Sequence, residues 1–349
     1  MVMMGCPPAV PELSRKAAIV GVGETDYHAD YQAQRAKAAD WTAPTPEGLA
    51  LTALERALAD SGLRREDIDG LACAFLYGGP DPAEIARAFG IRPRHTMEVL
   101  GLMRGSLPQV CAAIAEGKAD TIAVVSAVAT RSIGRTFGGN FKASDEGATN
   151  TYYYHHPWGW SSQGAHWALC WQYYMTQFGR REEDLGEVAL QLRANAMRDP
   201  KAVMQAPITI DDYMGARFIV KPLRLLDMCL VNDGAVAFIV TRADRAGAAA
   251  PTPVTVAGWA SAEVKADKLD SLVRRRLAPQ FAEANRQLEE MSGRSLTEVQ
   301  HFEGYDAASM HLVSQVEGHG FAAPGTALDR WHAGDFAAGG EIGDSGHNA

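Results

Sequence analysis

No stretch of the 349-residue chain approaches the roughly 18 consecutive apolar residues that a membrane-spanning helix requires. Its first residues also lack a charged start followed by an apolar secretory core, so the expectation is a cytoplasmic protein. An excess of positive charge is missing too: 33 basic against 42 acidic residues give a formal charge of −9, the wrong sign for a surface that tracks phosphate backbones. Neither nucleic acid nor membrane is an expected partner. Cysteine is scarce. Cys6, Cys73, Cys111, Cys170 and Cys229 are odd in number, widely spaced and never arranged as Cys-x-x-Cys, which speaks for free thiols in a reducing compartment rather than disulfides or zinc ligands. His155 and His156 have no carboxylate or cysteine at helical spacing, so no metal is expected.

What is present is ample apolar material, 47% of residues, enough for a large core and about two domains or one duplicated unit. Residues 1–15 are expected to be a mobile tail. The run Ala17 to Gly23 is apolar and ends in glycine, as a buried strand does. Thr45, Pro46 and Glu47 supply a cap, a first-turn proline and a first-turn acid. Ala50, Leu54, Ala57 and Leu58 then share one face, and Gly62 stops the helix. A strand from Ile68 to Phe75, a helix from Ser106 to Glu116 closed by Gly117, and a strand from Thr121 to Val125 continue the alternation expected of a mostly parallel sheet. Residues from about 130 to 230 form an aromatic, loop-rich insertion, after which Gly234 to Val240 returns to strand. The order restarts with a strand from Pro253 to Trp259, a helix from about Ala278 to Met291 and a strand from Val299 to Tyr305. Ser61-Gly62 and Ser292-Gly293 mark the same junction in each half, a common helix stop that here also accords with duplication. The expected halves are 16–247 and 251–349.

These duplicated halves resemble the thiolase superfamily, in its sterol-carrier-protein-x or lipid-transfer branch. The strings that carry the resemblance run from Lys16 to Thr25, from His156 to Trp160, from Pro222 to Asp227 with Asn232 to Ala235, and from Gly304 to Ala307 with Gln315 to Phe321. The resemblance implies a thiolase-like α/β fold, with mixed five-stranded sheets sandwiching helices and a shortened C-terminal half. The family's nucleophile is a cysteine on the turn that here reads Glu98 to Ser106 and contains none. Cys111 is expected to pack inside the following helix, and Ser106 to cap it. Where thiolases carry an Asn-Glu-Ala-Phe-like loop, this chain has Tyr305-Asp306-Ala307-Ala308, similar to bacterial steroid side-chain aldolases.

The resemblance thus implies Tyr305 as the catalytic proton-transfer group, or else a core tyrosine at a strand end. Asp306 either orients it or caps the next helix. His347 falls near a family active-site loop, and Gly340 lies where the family's Gly-Gly stretch runs. His156, Trp158 and Trp160 would roof a pocket for a bulky acyl group, or else build a small core or dimer contact. Arg131, Arg217 and Lys221 are candidates for the phosphates of coenzyme A, or else solvated charges. No separate cofactor is implied, because coenzyme A arrives as part of the substrate. Implied partners are an acyl-CoA substrate, a second copy of the chain as a homodimer, and a zinc-ribbon and OB-fold protein that helps hold the acyl-CoA. Three functions stay open: a retro-aldol carbon–carbon lyase acting on a β-hydroxyacyl-CoA, a thiolase-type acyltransferase, and a non-catalytic acyl-CoA-binding subunit.

Overall fold

A computed structural model describes residues 6–37, 41–74, 79–99, 103–134, 158, 160, 162–261 and 281–337. In chain order its first elements are β1 (Ala17–Glu24), α1 (Tyr27–Ala36), α2 (Pro46–Ser61), β2 (Gly70–Ala74), α3 (Pro82–Phe89), β3 (His95–Val99), α4 (Met103–Ala115) and β4 (Thr121–Ala129). There follow α5 (Gln163–Phe178), α6 (Gly186–Ala196), α7 (Ile210–Gly215), β5 (Phe218–Val220), β6 (Leu223–Arg224) and β7 (Asp233–Arg242). The last are α8 (Ala243–Ala249), β8 (Val254–Thr255), α9 (Phe281–Ser292), α10 (Ser309–Gly318) and α11 (Ala327–Ala333). They gather into two compact units. One comprises Met1–Arg135, Asn232–Ser261 and Arg286–Arg294; the other Thr136–Val231, Ala262–Asn285 and Ser295–Ala349.

The first unit is built on a six-stranded sheet in the order β3-β2-β4-β7-β1-β8. β2 runs parallel to β3 and β4, whereas β4–β7, β7–β1 and β1–β8 are antiparallel. The sheet is therefore mixed, as the resemblance implies, and not mostly parallel. Side chains of a strand alternate between faces, and this alternation builds two cores. Leu71, Cys73, Ala123, Val125, Ala237 and Ile239 join Leu49, Ala53, Leu54 and Ala57 of α2. Their sequence neighbours Ala72, Ala74, Ile122, Val124, Phe238 and Val240 join Val110, Cys111 and Ile114 of α4.

α2 starts and stops where its sequence says. The Thr45 hydroxyl accepts from Gly48 N–H at 3.1 Å, and Gly62 ends the helix with a left-handed φ of 66°. The apolar stripe is small because the helix lies almost against the sheet backbone. A Cβ on Gly23 would overlap the Ala53 carbonyl oxygen and the Ala57 amide nitrogen, and Gly21 faces Ala57 and Ser61 in the same way. Asp60 of α2 also reaches the β1 edge, accepting from Val22 N–H at 2.9 Å, so that this edge amide has a partner.

Two expectations fail. Residues 6–15 are no loose tail: Pro7 O accepts from Trp259 Nε1–H at 3.1 Å, and Arg15 N–H donates to Val256 O at 3.0 Å. Residues 299–305 form no strand, because no ladder partner lies beside them among the described residues, and α10 is preceded by extended chain with one isolated bridge, Met228 to Ala308. Within the described part of the second half, β8 extends the first sheet.

The second unit is helical and aromatic. Trp167, Trp171 and Tyr174 of α5, Val188 and Leu192 of α6, Met310, Leu312, Val313 and Val316 of α10, and Leu328 and Trp331 of α11 share one core. Glu317 lies buried within this unit and accepts from Gly325 N–H at 2.9 Å and Ala327 N–H at 3.2 Å, fixing the chain that enters α11.

The close approach of α2 to β1 yields a test. Gly23→Ala is expected to lower unfolding free energy by about 1–3 kcal/mol, the usual cost of overpacking, as read from chemical denaturation midpoints at unchanged slope. A loss no larger than that of a surface substitution would show that α2 does not depend on glycine there.

Candidate active site

Tyr305 sits on the extended chain leading into α10, in the second unit, and is 54% exposed. Its backbone is clasped by one side chain. Tyr305 N–H donates to Gln315 Oε1 at 3.1 Å, and Gln315 Nε2–H donates back to Tyr305 O at 2.8 Å. The amide thus stands in for a missing strand partner, satisfying the N–H and C=O of the tyrosine. The same Gln315 nitrogen reaches His311 O at 3.1 Å. The tyrosine is therefore neither at a strand end nor in a core.

On the other side the loop is held by the segment following β6. Cys229 N–H donates to Ala307 O at 3.3 Å, next to the Met228–Ala308 bridge. That segment hangs on Asp227, a fully buried carboxylate. Asp227 accepts from Arg224 N–H at 2.7 Å and from the Tyr213 hydroxyl at 3.0 and 3.1 Å. Arg224 in turn donates to Met214 O at 2.7 Å and pairs with Glu182 at 2.9 Å. Burial pushes the Asp227 carboxyl up to about 6, against the opposing pull of these donors. Burial, the negative Asp227 and the hydrogen bond to it push the Tyr213 phenol far above its usual range, so it stays a donor.

Asp306 does not cap α10: the N-cap is Ala308, with no side-chain cap bond. Its carboxylate instead acts on Cys229, whose thiol is raised first by desolvation and then by the charge of Asp306. Trp160 donates its indole N–H to His166 Nδ1 at 3.2 Å, with the rings edge-on at 4.3 Å, whereas Trp158 is 84% exposed. His156, Gly340 and His347 lie outside the described residues.

The thiolase nucleophile has no counterpart in the described part of its turn. α4 begins at Met103, so Ser106 falls inside the helix and is buried, not its cap. Cys111 is buried one face further along, and desolvation pushes its thiol up to about 12; Cys73 is raised to about 12 in the opposite core, by burial first and then by nearby carboxylates. Both are held as thiols at neutral pH, unfit for thiolate attack. Arg131 is engaged within the first unit, its guanidinium 4.0 Å from the centre of the Tyr31 ring and its Nε–H donating to Gln34. Among the described residues no group of three or more His, Cys, Asp or Glu side chains could hold a metal ion, and no helix is long and apolar enough to cross a membrane.

Sequence reading gave no site role to His311 or Trp167, and Gln315 entered it only as the start of a resemblance string. His311 stacks on Trp167 of α5 with ring centroids 4.1 Å apart and meets the Tyr305 ring at 5.3 Å. Gln315 was legible in principle, since it stands one helical turn from His311 on α10.

A mixed α/β core of this topology, in a chain that also carries a Tyr-Asp loop ahead of α10, defines a thiolase-like fold. No family model matches the chain. It is 32% identical over 95% of its length, and 85% of the relative's, to a 17-hydroxy-3-oxo-4-pregnene-20-carboxyl-CoA lyase of Mycobacterium tuberculosis. It is 29% identical to a steroid side-chain-cleaving aldolase of Thermomonospora curvata, over 93% of this chain and 83% of that one. Among solved structures, an Ltp2–ChsH2(DUF35) aldolase superposes with a TM-score of 0.79 at 29% identity, covering 94% of this chain and 83% of that one. A monomeric SCP2-thiolase-like protein of Mycobacterium smegmatis shares the fold, with a TM-score of 0.64 at 19% identity over 88% of this chain and 64% of that one. The chain belongs to the steroid side-chain aldolase branch of the thiolase superfamily.

Two outcomes test this description. A carboxyl raised in the folded state adds stability that is full below its ordinary pKa of 3.8 and lost as pH rises through about 6. Asp227→Asn keeps an acceptor for Tyr213 and Arg224 and removes this titration, so the Tm difference between variant and wild type is expected to move in favour of Asn from about pH 4 to 7; a constant difference would show that Asp227 keeps an ordinary pKa. Cys111→Ala should leave catalytic turnover near wild type and lower stability by no more than a modest packing loss, and loss of activity on selective alkylation of native Cys111 would contradict this.

Proposed function

We propose that the chain cleaves a bulky, steroid-like β-hydroxyacyl-CoA by a retro-aldol reaction in which Tyr305 carries the proton. The observation that carries the reading is the placement of the Tyr305 ring: half exposed, on a backbone clamped by Gln315 and braced by the Cys229–Ala307 bond. A phenol so placed is open to substrate while its loop is fixed.

In the proposed reaction the substrate's β-hydroxyl gives its proton to the Tyr305 oxygen, which acts as the general base. The C–O bond becomes a carbonyl, the Cα–Cβ bond breaks, and its electron pair moves onto the thioester as an enolate. Protonation at Cα releases a shorter acyl-CoA, leaving the rest of the substrate as a ketone. No thiol takes part. Asp306, one residue on, sets the local charge and is proposed to orient the phenol within the site. The aromatic segment ending at Trp158 and Trp160 is proposed to cover the acyl group together with His156, with Gly340 and His347 contributing from the C-terminal segment.

The relatives named as steroid-cleaving lyases support the substrate class. The neighbour named as an Ltp2–ChsH2(DUF35) aldolase supports a two-component assembly, and a zinc-ribbon and OB-fold protein that presents the acyl-CoA is the second component proposed here. β3 ends the sheet on one side with His95, Thr96 and Glu98 not buried, and an open edge of this kind favours a homodimer formed across it.

Tyr305→Phe deletes the hydroxyl and keeps the ring. With the partner present, kcat on a β-hydroxyacyl-CoA is expected to fall by about 10²–10⁴-fold, the usual contribution of a positioned base, with KM little changed. A raised KM at unchanged kcat would instead make Tyr305 a binding residue.

A further inference from the structure

We infer that His311 is a positioning residue for Tyr305, a role that rests on the aldolase reading above and extends it to a side chain outside the Tyr-Asp loop. Its imidazole touches two aromatic rings from different segments. It stacks on Trp167, at 4.1 Å between centroids and 25° between planes, and meets Tyr305 edge-on at 5.3 Å and 81°.

The two contacts differ in firmness. Trp167 is 2% exposed and belongs to the core shared by α5 and α10, so it gives the imidazole a fixed wall. Tyr305 is half exposed, and its backbone clamp does not by itself set the side-chain rotamer. A tyrosine with an open side chain samples several staggered wells, and each well puts the phenol oxygen in a different place. A ring held perpendicular to it removes the wells that would overlap the imidazole.

His311 is itself held at the backbone. Its N–H donates to Ala308 O at 2.8 Å, while its carbonyl accepts from Ser314 Oγ at 2.7 Å and from Gln315 Nε2 at 3.1 Å. Gln315 therefore ties the backbones of both residues, and Trp167 ties the ring. A misplacement of about 1 Å at a reacting group can cost 10²-fold in rate, so this pair of contacts is expected to act on kcat and not on substrate affinity.

The test places one 3-fluorotyrosine at position 305 and reads its ¹⁹F resonance, which needs no substrate. In wild type and in His311→Phe, which keeps an aromatic ring on Trp167, a single line is expected, shifted from that of free fluorotyrosine. In His311→Ala it should broaden or move toward the free value. In the unlabelled chain with its partner, kcat of His311→Ala on a β-hydroxyacyl-CoA should fall about ten- to hundredfold with KM little changed, and His311→Phe should recover most of it. His311→Leu, which fills the volume without a planar ring, gives the same reading as alanine should the smaller side chain unfold the protein. A wild-type ¹⁹F line in both ring-deleting variants overturns the inference, as does a changed line with unchanged kcat. A wild-type chain that cleaves no β-hydroxyacyl-CoA while the fluorine line responds as expected overturns the aldolase reading alone.

Discussion

The site hangs on a carboxylate that water does not reach. Asp227 gathers the Tyr213 hydroxyl and the Arg224 amide, and this fixes the short segment through Cys229 against which Ala307 and Ala308 are pinned. Burying a charge is costly unless donors surround it, and desolvation raises this carboxyl against the pull of its donors. Among the described residues no strand pairs with the chain preceding α10, and two backbone contacts from this segment and a side-chain amide from Gln315 hold it instead.

The same balance between apolar packing and local polar satisfaction sets the state of Cys111. A thiolase needs a thiolate at a helix start, where unpaired N–H groups stabilise negative charge. In this chain the corresponding helix carries its cysteine inside the core, among Val110 and Ile114 and beneath the sheet. Desolvation there favours the neutral thiol, so the position that stabilises packing disables attack.

Much of the first unit was legible because its signals are local. Thr45, Pro46 and Gly62 bracket α2 by chemistry that acts within one turn, and the apolar runs of β1, β4 and β7 have no use but burial. α1 escaped notice because it buries no residue, leaving only the cap of Ala29 N–H by Asp26 as a clue. The stretch 299–305 has the composition of a strand yet pairs with none among the described residues, since a strand exists only with a partner and composition does not reveal one. In the site, Tyr305 was legible through its Tyr-Asp pair and family resemblance. His311 and Trp167 were not, because each looks like an ordinary helix residue until α5 and α10 pack together.

The central claim is that the chain breaks a carbon–carbon bond through an enolate, without an acyl-enzyme. The direct measurement is turnover of a β-hydroxyacyl-CoA in heavy water without free coenzyme A, with mass analysis of products and protein. The account predicts a ketone, a shorter acyl-CoA carrying one solvent-derived deuterium at Cα, and a protein of unchanged mass. Turnover confined to a β-ketoacyl-CoA with added coenzyme A, accompanied by an acylated protein, would contradict it.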